Sequence, residues 1–455
     1  MGVAIGAGWE AGAPSMPACP PPVETPQPDS QRAAVARFLP PIPYSHEQAD
    51  IPLTMIEDLF LRHVHLKRCN SIGTLCRSMA LSPPIVDRVF RDLRGQRLLE
   101  VTGMTGDDYI FNLTGAGRAV AGERCHVCQY AGPAPVSLNA YRNAIRDQKP
   151  QVTINQASLR MALGDLVVTD RMLDQLGPAL VAQTSLFLYG PSGTGKTSLA
   201  ERLLRVYGDV MVLPYAIEVD TQIIVLFDPA VHELVEVDMP EADPRWMVCR
   251  RPCVVAGGEL VPSMLELRLD QSSGTYAPPV QMKANGGMLI IDDFGRQLIS
   301  PRDLLNRWIV PLDRRVDFLS LNYGVRFEIP FEVMVVFATN LDPIELADEA
   351  FLRRIPNKIL VDAVEPGVFD EIFRRVAVRY NTPYDPGAED HLRELCIGRG
   401  GDLRPSYPRD ICQIIAALKK YEGQPLHITP PDLERAAELF FGPLSAGDRP
   451  GRGVS

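Results

Sequence analysis

The residues best suited to chemistry lie in the stretch Gly190-Pro191-Ser192-Gly193-Thr194-Gly195-Lys196-Thr197-Ser198. This pattern suits a phosphate, because its glycines let the backbone curl with N–H groups pointing inward at an anion. Lys196 is spaced to reach β- and γ-phosphate oxygens, and Thr197 to ligate magnesium through its hydroxyl. Further along, Asp292 and Asp293 close the apolar run Met288-Leu289-Ile290-Ile291. Asp292 suits a magnesium ion, usually through water, and Asp293 suits polarisation of an attacking water. Asn340, after Val336-Phe337-Ala338-Thr339, is placed to hold that water. Arg353 and Arg354 follow Asp348-Glu349-Ala350-Phe351-Leu352. Guanidinium chelates phosphoryl oxygens bidentately, which suits contact with a γ-phosphate across a subunit boundary. Arg409 falls in the first turn of a helix opened by Pro408, where a cation opposes the helix dipole unless an anion is near. ATP is the anion expected there.

These side chains need particular elements to carry them. The apolar run Ser185-Leu186-Phe187-Leu188 reads as a strand, and Leu199-Ala200-Glu201-Arg202-Leu203-Leu204 has helical spacing. Strand, glycine-rich turn and helix are the context that separates a phosphate loop from a chance match. The runs ending at Asp292 and at Asn340 read as buried parallel strands that deliver polar groups at their C-terminal edge. Each feature also has a plainer reading: a turn that binds nothing, two solvated acids, arginines capping a helix C-terminus.

Taken in this order, the elements resemble the AAA+ ATPases over residues 155–441. The resemblance implies a Walker A loop at 190–198, Walker B at Asp292 and Asp293, sensor 1 at Asn340, an arginine finger at Arg353 or Arg354, and sensor 2 at Arg409. It implies an α/β parallel-sheet core of the P-loop NTPase type at 156–361 and a helical lid at 362–442. ATP and magnesium are the implied cofactors, and a ring, usually of six chains, the implied assembly. Gln281-Met282-Lys283-Ala284-Asn285-Gly286-Gly287 resembles the MoxR-like and magnesium-chelatase branch, whose extra inserts residues 229–280 are long enough to hold. One departure is the second acid: Asp293 stands where most relatives carry Glu, one methylene longer, although replication initiators of the class also carry Asp-Asp.

The chain has 455 residues, enough for two or three domains. Its formal charge of −10 excludes a surface that attracts nucleic acid as a whole. No apolar run is long enough to span a bilayer, and the N-terminus lacks the pattern of a signal peptide. Nine irregularly spaced cysteines fit reduced thiols, so a cytoplasmic setting is expected. Residues 1–45, rich in Pro, Gly and Ala, and 443–455 read as disordered tails. Residues 46–125 show three helical stripes and then a hairpin, which resembles a winged helix. Ser82 and Pro83 mark a helix start, with Arg88, Arg91, Arg94 and Arg97 on or beside a recognition helix. Acidic and basic residues balance there, and Asp107 and Asp108 sit in the wing, so docking to protein is favoured over DNA. Residues 126–155 read as a linker. Cys125 and Cys128 invite zinc, but a closed site needs four ligands and no second pair stands at finger spacing. The function expected is ATP hydrolysis coupled to a protein partner. Alternatives are an ATP-gated DNA-binding regulator and an assembly scaffold with little hydrolysis.

Overall fold

The computed structural model describes residues 38–106, 108–150, 154–237, 241–346 and 349–442. The tails expected at 1–45 and 443–455 therefore lie outside the described residues, apart from residues 38–45, as does Asp107.

The α/β class is as expected. Five parallel strands form the central sheet: β1 (Leu186–Tyr189), β2 (Cys253–Ala256), β3 (Met288–Ile291), β4 (Met334–Thr339) and β5 (Asn357–Leu360), in the order β5-β1-β4-β3-β2. Continuous apolar runs form these strands because both faces are covered, and residue parity divides them. Leu186, Leu188, Met288, Ile290, Met334 and Val336 join one core with Leu199, Leu203 and Leu180. Phe187, Leu289, Ile291, Val335 and Phe337 join the opposite one with Phe294, Leu305 and Trp308. The register pairs Thr339 with Tyr189 and Leu360 with Tyr189. The C-terminal ends of β4, β1 and β5 are therefore level, and the 190–198 loop leaves from the middle of that edge. Four helices, Pro366–Arg379, Ala388–Gly400, Tyr407–Glu422 and Pro430–Phe441, pack about Phe369, Phe373, Leu392 and Ile411 as a helical layer beside this edge.

A second layer was only partly foreseen. Extra strands stand outside residues 229–280 as well as within them, from Val136–Ser137 onward. A five-stranded sheet runs in the order Arg268–Asp270, Thr275–Ala277, Gln222–Val225, Ala216–Val219, Val136–Ser137. The hairpin Val316–Ser320/Arg326–Pro330 packs Leu319, Phe327 and Ile329 into the core of the same layer. The stretch 126–155, expected as a linker, supplies the edge strand Val136–Ser137 and the helix Leu138–Asp147, whose Tyr141 and Ile145 are buried in that core. The Pro- and Gly-rich run at 131–135 hides this helical stripe. The residues carrying the branch resemblance serve packing here. Gln281 Nε2 donates to Leu265 O and Asp317 Oδ2 at 2.8 and 3.0 Å, and Asn285 Nδ2 donates to Tyr141 Oη and Pro330 O at 2.9 and 2.7 Å.

Ahead of these come helices Leu53–Lys67, Ile72–Met79 and Pro83–Gly95, the antiparallel hairpin Leu99–Thr105/Asp108–Leu113, and one further helix, Gly115–Val127. Ser82 stands at the expected helix start, but its hydroxyl donates to Pro43 O instead of capping. Asp108 caps instead of guarding a wing: its carboxylate accepts from Ile72 N and Gly73 N at 2.9 and 3.0 Å. This unit shares its core with Ala216 and Ile223 of the second layer. A buried pair ties the two parts. Arg245 meets Asp243 at 2.7 Å and donates through Nη1 to Ala49 O and Pro135 O, both at 3.1 Å. No helix among the described residues is long and apolar enough to cross a membrane.

Candidate functional site

Three glycines shape the loop after β1. Gly190 has φ 136° and a Cβ there would stand 2.4 Å from Val361 O; Gly193 has φ 80°, and its Cβ would stand 2.7 Å from Ser406 Oγ. Gly195, φ 89°, opens the helix Lys196–Leu203. These are positive-φ positions that side chains rarely tolerate, so the curl depends on glycine. Lys196 Nζ donates to Gly190 O and Pro191 O at 2.9 and 2.7 Å, and Thr194 Oγ1 to Pro191 O at 2.9 Å. Burial lowers the Lys196 pKa; Asp293 and Asp292 oppose the shift and Arg404 adds to it. The lysine thus shares its field with both acids.

Thr197 Oγ1 donates to Asp292 Oδ1 at 2.7 Å, which joins the loop to the end of β3. Asp293 is exposed and takes φ 50°. The left-handed turn lets the chain double back, so that Phe294 is buried against Phe187 and Phe337 and its N–H reaches Ala338 O at 2.8 Å. Strained non-glycine backbone of this kind persists where the surroundings enforce it. Asn340 follows β4, and its Oδ1 is buried without a hydrogen-bond partner among the described residues. A buried acceptor left open suits a water or ligand donor.

The three arginines stand in different settings. Arg353 and Arg354 follow the short helix Glu349–Leu352. Arg354 is held to Asp313 at 2.7 Å, whereas Arg353 is exposed. Arg409 does sit in the first turn of its helix, but the anion beside it is Asp410, at 3.0 Å, and its side chain is 56% exposed; no bond joins it to the loop among the described residues. Arg404 reaches the loop instead. Its Nη1 donates to Ser192 O at 3.1 Å, and Ser406 N donates to Gly193 O at 3.1 Å. The missed signal was local: Asp402 and Arg404 flank the buried Leu403 just before the helix, so both point to one side.

A cavity of about 210 Å³ opens beside the loop, lined by Leu166, Val168, Thr194, Val364, Ile372 and Val376 among others. Arg375 Nη1 closes one wall by donating to Gly164 O and Leu166 O at 3.0 and 3.1 Å. An apolar slot adjoining an anion cradle fits a flat base attached to phosphates.

Elsewhere, Arg88, Arg91, Arg94 and Arg97 are all exposed, so their helix face is not the one docked on the second layer. Arg91 pairs with Asp87 at 2.7 Å. Cys125 is buried, with its thiol pKa raised by burial, and Cys128 is half-buried. No group of three or more His, Cys, Asp or Glu among the described residues is disposed to hold a metal ion.

A family described only as a domain of unknown function, DUF8689, matches residues 365–439, the four-helix segment. No curated protein matches the chain in sequence. Among solved structures, the Thermotoga maritima RuvB Holliday junction branch migration motor is similar at 14% identity and a TM-score of 0.34, over 64% of this chain and 72% of that one. NtrX from Brucella abortus is similar at 14% identity and a TM-score of 0.40, over 63% of this chain and 58% of that one. Its complex with ATP gives 14% and 0.37, over 66% and 60%. Likenesses this faint do not say what the chain does.

Proposed function

We propose that this chain is an ATPase of the AAA+ type, which binds Mg·ATP between the 190–198 loop and the helical lid, hydrolyses it, and passes the cycle to a protein partner. The observation that carries this reading is the 2.7 Å bond between Thr197 and Asp292. It brings together, on one sheet edge beside a phosphate-shaped loop, the two side chains suited to hold one magnesium ion. That ion would neutralise charge on the β- and γ-oxygens. Lys196 exchanges the Gly190 and Pro191 carbonyls for phosphate oxygens. Asp293 polarises the attacking water and Asn340 orients it through the open Oδ1. Arg404, rather than Arg409, brings the lid to the phosphates.

The site is completed by a second chain. Arg353, exposed where Arg354 is tethered, is the arginine offered to a neighbour's γ-phosphate, and such a head-to-tail contact repeats into a ring, taken here as a hexamer. Leu298 and Ile344, both 77% exposed, follow β3 and β4 and suit the same boundary. The inserted second layer, and the docked N-terminal unit with its winged-helix order, are the surfaces through which a partner is engaged. The described cysteines are all unpaired, in keeping with action in the cytoplasm.

Lys196→Ala tests the reading. Calorimetry should show ATP binding lost while the circular dichroism spectrum is kept; ATP affinity equal to the parent protein would refute the phosphate site. One second reading has its own support. The exposed arginine face of Pro83–Gly95 leaves DNA contact open, and a gel shift at near-physiological salt separates a DNA-binding regulator from a protein-directed ATPase.

A further inference from the structure

We propose that Asp402 is a positioning residue for Arg404, fixing the lid arginine at the phosphate loop so that the site distinguishes ATP from ADP. This rests on the ATP-binding reading given above. Arg404 Nε donates to both carboxylate oxygens of Asp402, each at 3.0 Å. Asp402 is itself braced, because Tyr407 Oη donates to its Oδ1 at 3.2 Å. Tyr407 is 6% exposed and packs edge-on against Phe440 and Phe441, with ring centroids 5.6 and 5.2 Å away. The guanidinium lies 5.8 Å from the Tyr407 ring centroid. A continuous chain of contacts thus runs from the lid core through Tyr407, Asp402 and Arg404 to Ser192 O in the loop.

The division of donors gives the arrangement its use. Asp402 occupies Nε, and Ser192 O, a neutral carbonyl, takes one Nη1 proton. Nη2 has no protein partner among the described residues. A phosphoryl oxygen outcompetes a neutral carbonyl for a guanidinium, because charge-assisted bonds are roughly twice as strong as neutral ones. Arg404 can therefore turn to a γ-phosphate through its Nη groups without leaving Asp402. The carboxylate also balances a cation that stands beside Lys196 and helps to lower its pKa. Without Asp402 the guanidinium loses its fixed end, and the orientation that selects the third phosphate is lost.

The test is a double-mutant cycle on the ratio of ADP to ATP dissociation constants, measured by calorimetry on the full chain with magnesium. Asp402→Asn in the parent should narrow that ratio about three- to tenfold, the range for the net contribution of one ordinary hydrogen bond. On an Arg404→Ala background the same change should do nothing further, since the residue through which Asp402 acts is gone. Tyr407→Phe should narrow the ratio by a smaller factor. A merely structural Asp402 would lower the melting temperature and leave the ratio unchanged, or would act equally in both backgrounds; either result overturns the proposal. If the parent protein binds no ATP, the failure lies with the ATP-binding reading; if it binds ATP and Arg404→Ala leaves the ratio unaltered, the proposal is overturned.

Discussion

Asp243→Asn should detach the N-terminal unit from the rest of the chain. Asp243 and Arg245 side chains are 1% and 5% exposed. The carboxylate accepts from Arg245 N, Nε and Nη2 at 2.7–3.1 Å, while the backbone N–H of Asp243 donates to Pro40 O at 2.9 Å. Arg245 Nη1 serves the carbonyls of Ala49 and Pro135, so a single guanidinium holds the chain before the first long helix and the chain entering the second layer. Arginine stays charged in any protein environment, so removing the carboxylate leaves a buried cation without its counter-ion. Breaking one partner of such a pair costs about 3–5 kcal/mol. At about 4–8 °C per kcal/mol for a unit of about 60–100 residues, the affected transition should fall by about 12–40 °C. Scanning calorimetry should show it as an early, separate transition, with hydrogen exchange increased at Ala49 and Pro135 neighbours. Replacing both partners, Asp243→Leu with Arg245→Met, should recover at least half of the loss, because no charge is then stranded. A change of under about 1 kcal/mol for Asp243→Asn would show that water or a rearranged neighbour replaces the carboxylate, and the argument for a saturated buried joint would be wrong.

Other outcomes are expected around the 190–198 loop. Asp293→Asn should keep Mg·ATP binding yet lower phosphate release by about two or more orders of magnitude; normal turnover would place the catalytic carboxylate elsewhere, and no turnover in the parent would favour the scaffold alternative. Arg353→Ala should lose activity far more than Arg354→Ala, whose larger effect should be on stability through Asp313; mixing inactive Arg353→Ala and Lys196→Ala chains should restore part of the turnover, and no restoration would refute a shared site. Arg88→Ala with Arg91→Ala should change DNA affinity little if the partner is a protein; a steep, salt-dependent loss would favour the DNA regulator.

The glycine curl at 190–198 and the core strands were legible because each rests on neighbours in sequence. Gly190, Gly193 and Gly195 are where positive φ is needed, and the alternation of Phe187 with Leu186 and Leu188 already separates two faces. Asp292 was readable for the same reason, standing at the end of a wholly apolar run. At Arg409 the helix-dipole argument named a charge near a helix start, and the structure puts the carboxylate of Asp410 beside it. The pairing of Arg404 with Asp402 has a local sign, but its contact with Ser192 depends on how the four-helix layer settles over the loop. The second layer was only partly legible for a related reason. Its sheet gathers strands from Val136 to Ala277, most of them three to five residues long, so each alone looks like a loop.

The short edge strand Val136–Ser137 and the helix after it carry a practical consequence for anyone dividing this chain. A cut at residue 155, where composition suggests a seam, would remove Tyr141 from Asn285 and strip the outer rung from the second sheet. The strand Ala216–Val219 would become a bare edge beside an opened apolar face, a surface that invites pairing between chains. The piece from residue 155 onward would then be prone to aggregate for reasons unrelated to the chemistry of its 190–198 loop. A piece cut from this chain with its second sheet whole therefore begins at or before Val136.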